Sequence, residues 1–346
     1  MSSNLKLSIL DYVHIFQDEK TADSVRNTTE LIQLAEQLGF TRYWFTEHHS
    51  SPHILSMAPD LLSMYAATHT KHMRIGSGGI MLPNYSPLKV AENYLLLESL
   101  YPQRIDLGLG RASGTDGITA LALQRSQQGF LADDFGEQLD QLLSYFSRDF
   151  EEEHPFRNIK LPGDASLTPE LFMLGSSQGG VQYAIQQGLG FVFASHLAPN
   201  LAVPVLREYR EKFVPSKYRQ EPKSILTSIV ITAETEEKAQ ELAKPVEILW
   251  ARMMTGITNL PLPSVEEAKK YKYTFAEEQA RLHNRNRFVI GSVDRVVAKL
   301  KEMAAETQVD EIMLADFYPN QEAGIKAYSL LADAFDLKTD YLAKGE

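Results

Sequence analysis

The chain contains no cysteine, which removes disulfides, thiolate nucleophiles, iron–sulfur clusters and cysteine-type zinc sites in one step. It also lacks any run of five or more lysines and arginines, and 34 basic against 45 acidic side chains give a formal charge of −11. Nothing in that balance forms an electrostatic footprint for nucleic acid or anionic lipid, so small-molecule chemistry is the better match. No window reaches the ~18 apolar residues of a membrane span, and Met1 to Leu10 has no basic segment followed by a long apolar one. A cytoplasmic protein is therefore expected. No low-complexity tract or Pro/Gly/Ser-rich linker divides the chain, which predicts one domain over residues 1–346.

What is present is a repeating pattern. Short apolar runs recur, each followed by a segment of helical periodicity. Leu5–Tyr12 precedes a helix carrying Val25, Thr28, Ile32, Ala35 and Leu38 at spacings of three and four, stopped by Gly39. Arg42–Thr46 is followed by a helix opening at Pro59, and Met73–Leu82 by one opening at Ser86-Pro87, where a proline in the first turn costs no hydrogen bond. Further strands are expected at Ile105–Gly110, Leu171–Gly175, Phe191–Ser195, Ile225–Thr232 and Glu311–Ala315. Eight such units with near-continuous apolar strands predict an α/β fold, a closed (β/α)8 TIM barrel. The seventh connection is far longer than the ~2 to 6 residues typical of α/β loops. Residues 234–287 are thus expected as an insertion, a lid over the C-terminal face where such barrels place their active sites.

Several constellations fall at strand ends. Glu47-His48-His49 follows the second strand, and a histidine at the active face of a barrel can hold or relay a proton near neutral pH; local packing is the ordinary alternative. His49 and His53 are four apart, but Pro52 breaks the helix that would present both to a zinc ion, and no metal site is expected. Gly76-Ser77-Gly78-Gly79 weakens the third strand, which suits either close approach of a flat ligand to the backbone or a bulge that tightens the barrel. The fourth strand ends in Gly108-Leu109-Gly110-Arg111, a near miss to a dinucleotide fingerprint because Ser113 stands where its last glycine belongs. Arg111 suits a phosphate or an electron-rich ring, or a salt bridge to a neighbouring loop. Leu174-Gly175-Ser176-Ser177-Gln178-Gly179-Gly180 runs from the fifth strand into a helix, where the free N–H groups form an anion site or a serine simply caps the helix. Asp11, His49 and His196 end strands one, two and six and are the candidates for substrate contact.

Taken in order, Trp44–His49, Arg74–Pro83, Arg104–Arg111, Leu174–Ser177 and Val289–Ser292 resemble the luciferase-like monooxygenase superfamily over nearly the whole chain. The resemblance implies a flavin enzyme that uses reduced FMN and O2 to oxygenate a small organic substrate. It places the flavin ring against a non-proline cis peptide at Gly78-Gly79 beside Ser77, His48 near the ring as the catalytic proton carrier, Arg111 near the cofactor, and the phosphate at Ser176, Ser177 and the helix start at Gly180. Relatives often carry a hydroxyl residue where this chain has Gly179-Gly180, which implies weaker retention of FMN and delivery by a separate flavin reductase. A homodimer is implied as well. The alternatives are a flavin- or F420-linked oxidoreductase without oxygen insertion and a non-catalytic FMN-binding barrel.

Overall fold

The expected strand–helix alternation closes on itself. In a computed structural model, which describes residues 5–163, 165–258 and 260–337, the strands are β1 (Lys6–Asp11), β2 (Arg42–Phe45), β3 (Arg74–Met81), β4 (Ile105–Gly110), β5 (Glu170–Gly175), β6 (Gly190–Ala194), β7 (Ser224–Ala233), β8 (Phe288–Ser292) and β9 (Glu311–Ala315). The ends of the expected 1–346 domain lie outside the described residues. Strands β1 to β6 pair in sequence order, β6 pairs β7, β7 pairs β9 and β9 returns to β1, all parallel. That is a closed eight-stranded (β/α)8 barrel of β1–β7 and β9. Among the described residues no helix is long and apolar enough to cross a membrane.

The helices are α1 (Thr21–Leu38), α2 (Pro59–Thr68), α3 (Pro87–Leu100), α4 (Gly117–Gln124), α5 (Gln127–Leu131), α6 (Phe135–Ser147), α7 (Gln178–Gln187), α8 (Ala202–Lys212), α9 (Glu236–Met254), α10 (Val265–Lys270), α11 (Phe275–Asn284), α12 (Val293–Thr307) and α13 (Gln321–Ala334). The long seventh connection contains α9 to α11 and then β8, a strand the periodicity does not reveal. Strand β8 stands outside the barrel, pairing only with Ile229–Ala233 of β7, beyond the Ser224–Thr227 stretch that pairs with β6. Capping boxes at Ser264/Glu267 and Thr274/Glu277 start α10 and α11, each satisfying orphan N–H groups at both ends of the box. The insertion is fastened to the C-terminal rim at two points. Gln17, after β1, donates to Glu267 (3.0 Å), and Arg287 donates to the carbonyls of His196 (2.7 Å) and Leu197.

Alternation along each strand sorts the barrel interior into levels. On β2, Arg42 lies at the bottom, Trp44 in the middle and Thr46 just past the top. Arg42 is 1% exposed and reaches Asp106 on β4 (2.7 Å) and both oxygens of Glu311 on β9 (2.7 and 3.1 Å). Trp44 Nε1 donates to the same Asp106 (2.8 Å), Arg74 pairs with Asp106 and Glu170, and the Ser8 hydroxyl donates to Glu311. A layer of charge thus fills the N-terminal end of the barrel, leaving the C-terminal end as the place for a cavity.

Outside the barrel wall, the buried Asp11 and the half-buried Asp316 form a carboxylate pair. Tyr43 and Thr28 hydroxyls and the Val13 amide donate to Asp11 (2.6, 3.3 and 2.6 Å), and Tyr328 donates to Asp316 (3.0 Å). Burial first, and the neighbouring Asp11 second, push the Asp316 carboxyl up to about 7. The folded state therefore keeps a proton that the unfolded chain has lost once the pH is above its ordinary ~4, and stability falls as the pH rises from there through about 7. Asp316→Asn removes this loss. Its unfolding midpoint in denaturant is expected to gain on the wild type steadily between pH 5 and 8; an offset independent of pH contradicts the assignment.

Candidate active site at the barrel rim

At the C-terminal end the strands surround a cavity of about 270 Å³. Leu10 and Tyr12 reach it from β1, Thr46, Glu47 and His48 from β2, Gly78 and Met81 from β3, Gly110 and Arg111 from β4, Leu174 to Ser177 from β5, Val192, Ala194 and His196 from β6, and Thr227 from β7. Larger hollows of about 520 and 610 Å³ lie on the outer face, against α6 and between α8 and α12. Neither contains a candidate catalytic, cofactor or substrate residue named from the sequence.

Glycine makes the room. A Cβ on Gly78 would stand 2.6 Å from Leu10 and 3.0 Å from Trp44, and one on Gly110 would stand 2.5 Å from the Met81 sulfur. The Gly78–Gly79 peptide is cis, and the β3–β4 register shifts between Gly78 and Ile80, so the glycine run carries a bulge at this place. The Ser77 hydroxyl does not join the cavity. It is fully buried and donates to the Gly108 carbonyl (3.1 Å), and Gly79 likewise packs against Gly108 and Leu174.

The Glu-His-His stretch divides its work. Glu47 is fully buried and accepts from His49 Nε2 (2.8 Å), Asn84 (3.0 Å) and the Met81 amide (2.9 Å), pinning the β2 and β3 ends together. His49 is thereby turned to Glu47 and away from the cavity, a correction to its expected contact with substrate. Asp11 is corrected too: Leu10 and Tyr12 point inward, so alternation sends Asp11 outward to α1. His48 does face the cavity. Its ring stacks on Tyr12 (centroids 5.1 Å apart) and its Nδ1 lies 3.0 Å from Thr46 Oγ1. Burial, with His49 as a smaller cause, pushes its imidazole down to about 4, so the ring is neutral across the physiological range. His196, 5% exposed, lines the opposite wall, and burial takes it down to about 4 as well.

The far edge of the cavity is cationic. Ser177 occupies the N-cap of α7 but its side chain accepts no cap bond, which leaves the first-turn N–H groups without side-chain partners. Neither Ser176 nor Ser177 forms a side-chain hydrogen bond among the described residues. Arg111 is exposed and has no ion-pair or hydrogen-bond partner among them either. Both its terminal nitrogens lie 3.5 Å from where a Gly179 Cβ would be. Three unspent donors and a helix N-terminus converge there. No group of side chains among the described residues is arranged to hold a metal ion. Tyr12 is a cavity residue that motif reasoning missed, and Thr46 and Glu47 stood in the motifs without a role; inward alternation from Leu10 and Trp44 is the signal that points to Tyr12 and Thr46.

The model of the luciferase-like monooxygenase family matches residues 5–311. The chain belongs to that family. It is 33% identical to a luciferase-like monooxygenase of Escherichia coli K12, covering 98% of each chain, and 31% identical to the N-acetyl-S-alkylcysteine monooxygenase of Bacillus subtilis, over 95% of this chain and 98% of the relative. Of solved structures, apo-MsnO8 superposes with a TM-score of 0.85 at 33% identity, covering 96% and 99% of the two chains. The FMN-bound oxygenating constituent of 3,6-diketocamphane monooxygenase from Pseudomonas putida shares the fold, with a TM-score of 0.70 at 17% identity over 95% and 96%. This luciferase-like protein is accordingly an enzyme of the flavin-dependent monooxygenase kind.

Proposed function

We propose that this enzyme is the oxygenase half of a two-component system, taking reduced FMN from a separate reductase and using O2 to oxygenate a small organic substrate. The observation that carries this reading is Arg111, a cation with no partner among the described residues, held beside the uncapped start of α7 at the cavity edge. That arrangement fits a phosphate monoester. Ser176, Ser177, the amide of Gly180 and Arg111 would hold it, and the glycine-lined wall at Gly78 and Gly110 accepts a flat ring. When bound, reduced FMN supplies the electrons and the activation of O2. The protein orients the ring against β3, holds a proton on the His48 imidazole, and shields the site with 234–287, which is anchored over the rim at Gln17, His196 and Leu197.

Gly179 provides no side-chain ligand for the phosphate, which favours a flavin that visits over one that stays. The oxygenating constituent from P. putida belongs to the same type of divided system by its name. The B. subtilis relative acts, by its name, on an N-acetyl-S-alkylcysteine, so thioethers belong in the first set of substrates tried. With reduced FMN and ¹⁸O2, one labelled atom is expected in the product; product without label would replace oxygenation by hydride transfer. Arg111→Ala is expected to raise the Kd for reduced FMN roughly 10- to 100-fold, the loss of a charge-assisted hydrogen-bond pair, with the unfolding midpoint unchanged. An unaltered Kd would remove the phosphate from this edge.

A further inference from the structure

Behind His48 is a short chain of hydroxyls that fixes which nitrogen carries its proton. His48 Nδ1 lies 3.0 Å from Thr46 Oγ1, which lies 2.7 Å from Ser56 Oγ. Thr46 is 3% exposed and Ser56 is fully buried, and among the described residues neither hydroxyl has another side-chain partner. The His48 amide donates to the Ser56 carbonyl (3.0 Å), so the serine and the histidine are held in register by backbone as well. Nε2 is the ring nitrogen left for the cavity.

Counting hydrogens separates the two neutral tautomers. With the proton on Nδ1, three hydrogens (Nδ1–H, Thr46 O–H and Ser56 O–H) compete for two links, and one buried donor is left without an acceptor. With the proton on Nε2, Ser56 donates to Thr46 and Thr46 donates to Nδ1, and every hydrogen is used. An orphaned buried donor costs enough to tilt such an equilibrium several-fold or more. We propose that the Thr46–Ser56 pair locks His48 as the Nε2–H tautomer, so that this histidine presents a hydrogen-bond donor, not a base, to whatever occupies the cavity. Thr46 and Ser56 are then positioning residues. The depressed basicity of the ring agrees with this, because a neutral imidazole has only one proton to place.

The assignment rests on the reading of His48 as the residue facing the reacting groups, but its first test does not involve flavin. The ¹⁵N spectrum of histidine-labelled protein without flavin, with His48 assigned by the His48→Gln difference, is expected to show a pyrrole-type Nε2 and a pyridine-type Nδ1 at pH 7. Thr46→Val should abolish that preference and lower kcat about 10-fold, the value of one neutral hydrogen bond, with the Kd for reduced FMN unchanged. Thr46→Ser, which keeps the hydroxyl, should restore both, and thermal unfolding of each variant checks its fold. A pyrrole-type Nδ1 in the wild type overturns the proposal, as does a Thr46→Val protein with unaltered tautomer and kcat. An Nε2–H tautomer in an enzyme indifferent to His48→Ala would instead count against the proposed function alone.

Discussion

His48→Ala is expected to lower the turnover of oxygenation about 100-fold at saturating reduced FMN, the lower range for loss of a positioned proton carrier. The Kd for reduced FMN should change little, because the phosphate edge at Arg111 and α7 lies across the cavity from the histidine. Steady-state kcat and an anaerobic flavin titration on the same preparation separate the two. The pH dependence supplies a second signature. The ring is held neutral down to about 4, so the wild-type profile should show no limb in the ordinary imidazole range near 6.5 that disappears in the variant. A variant of wild-type turnover removes His48 from the chemistry.

The second large effect concerns the floor of the barrel. Arg42→Met is expected to cost about 3–5 kcal/mol of folding stability, the range for removing one member of a buried ion network. The methionine roughly fills the space but leaves Asp106 and Glu311, both nearly inaccessible to solvent, without the guanidinium that bonds them. Arg74 still pairs with Asp106, whereas among the described residues Glu311 keeps only the Ser8 hydroxyl bond. Guanidinium chloride unfolding, compared at constant slope, reads the difference directly. A double replacement, Arg42→Met with Glu311→Gln, should recover part of the loss, since it removes the stranded charge together with its partner.

How much of this was legible in the sequence differs between fold and site. The eight barrel strands show themselves because each is an apolar run bounded by turn residues, and Glu311–Ala315 is bounded in the structure as the periodicity implies. Strand β8 does not, since five residues paired only to the upper half of β7 carry no periodicity that separates them from a loop. The ionic layer is equally hidden: Arg42 and Glu311 are 269 positions apart, and only barrel closure brings β2 and β9 to either side of β1. At the rim, motif order led to His48, Arg111, Ser176, Ser177, Gly78 and Gly180, all of which line the cavity. Asp11, His49, Ser77 and Gly79 do not line it: for the first two, proximity to a strand's end says nothing about which side of the wall a side chain is on, and Ser77 and Gly79 sit within β3 against β4. One residue of alternation separates Asp11 from Leu10 and Tyr12. The hydroxyls behind His48 escaped notice for a related reason, since Ser56 comes from the loop after β2 and meets Thr46 only when that loop folds back.

The most direct test of the central claim compares reduced FMN with reduced riboflavin in anaerobic titrations of the wild-type enzyme. The two share a ring and differ by the phosphate. Binding at least 10-fold tighter for FMN, with the preference erased in Arg111→Ala and weakened by salt, is the predicted result. Equal affinity for the two, or no binding of either, would contradict a flavin held at this rim by its phosphate.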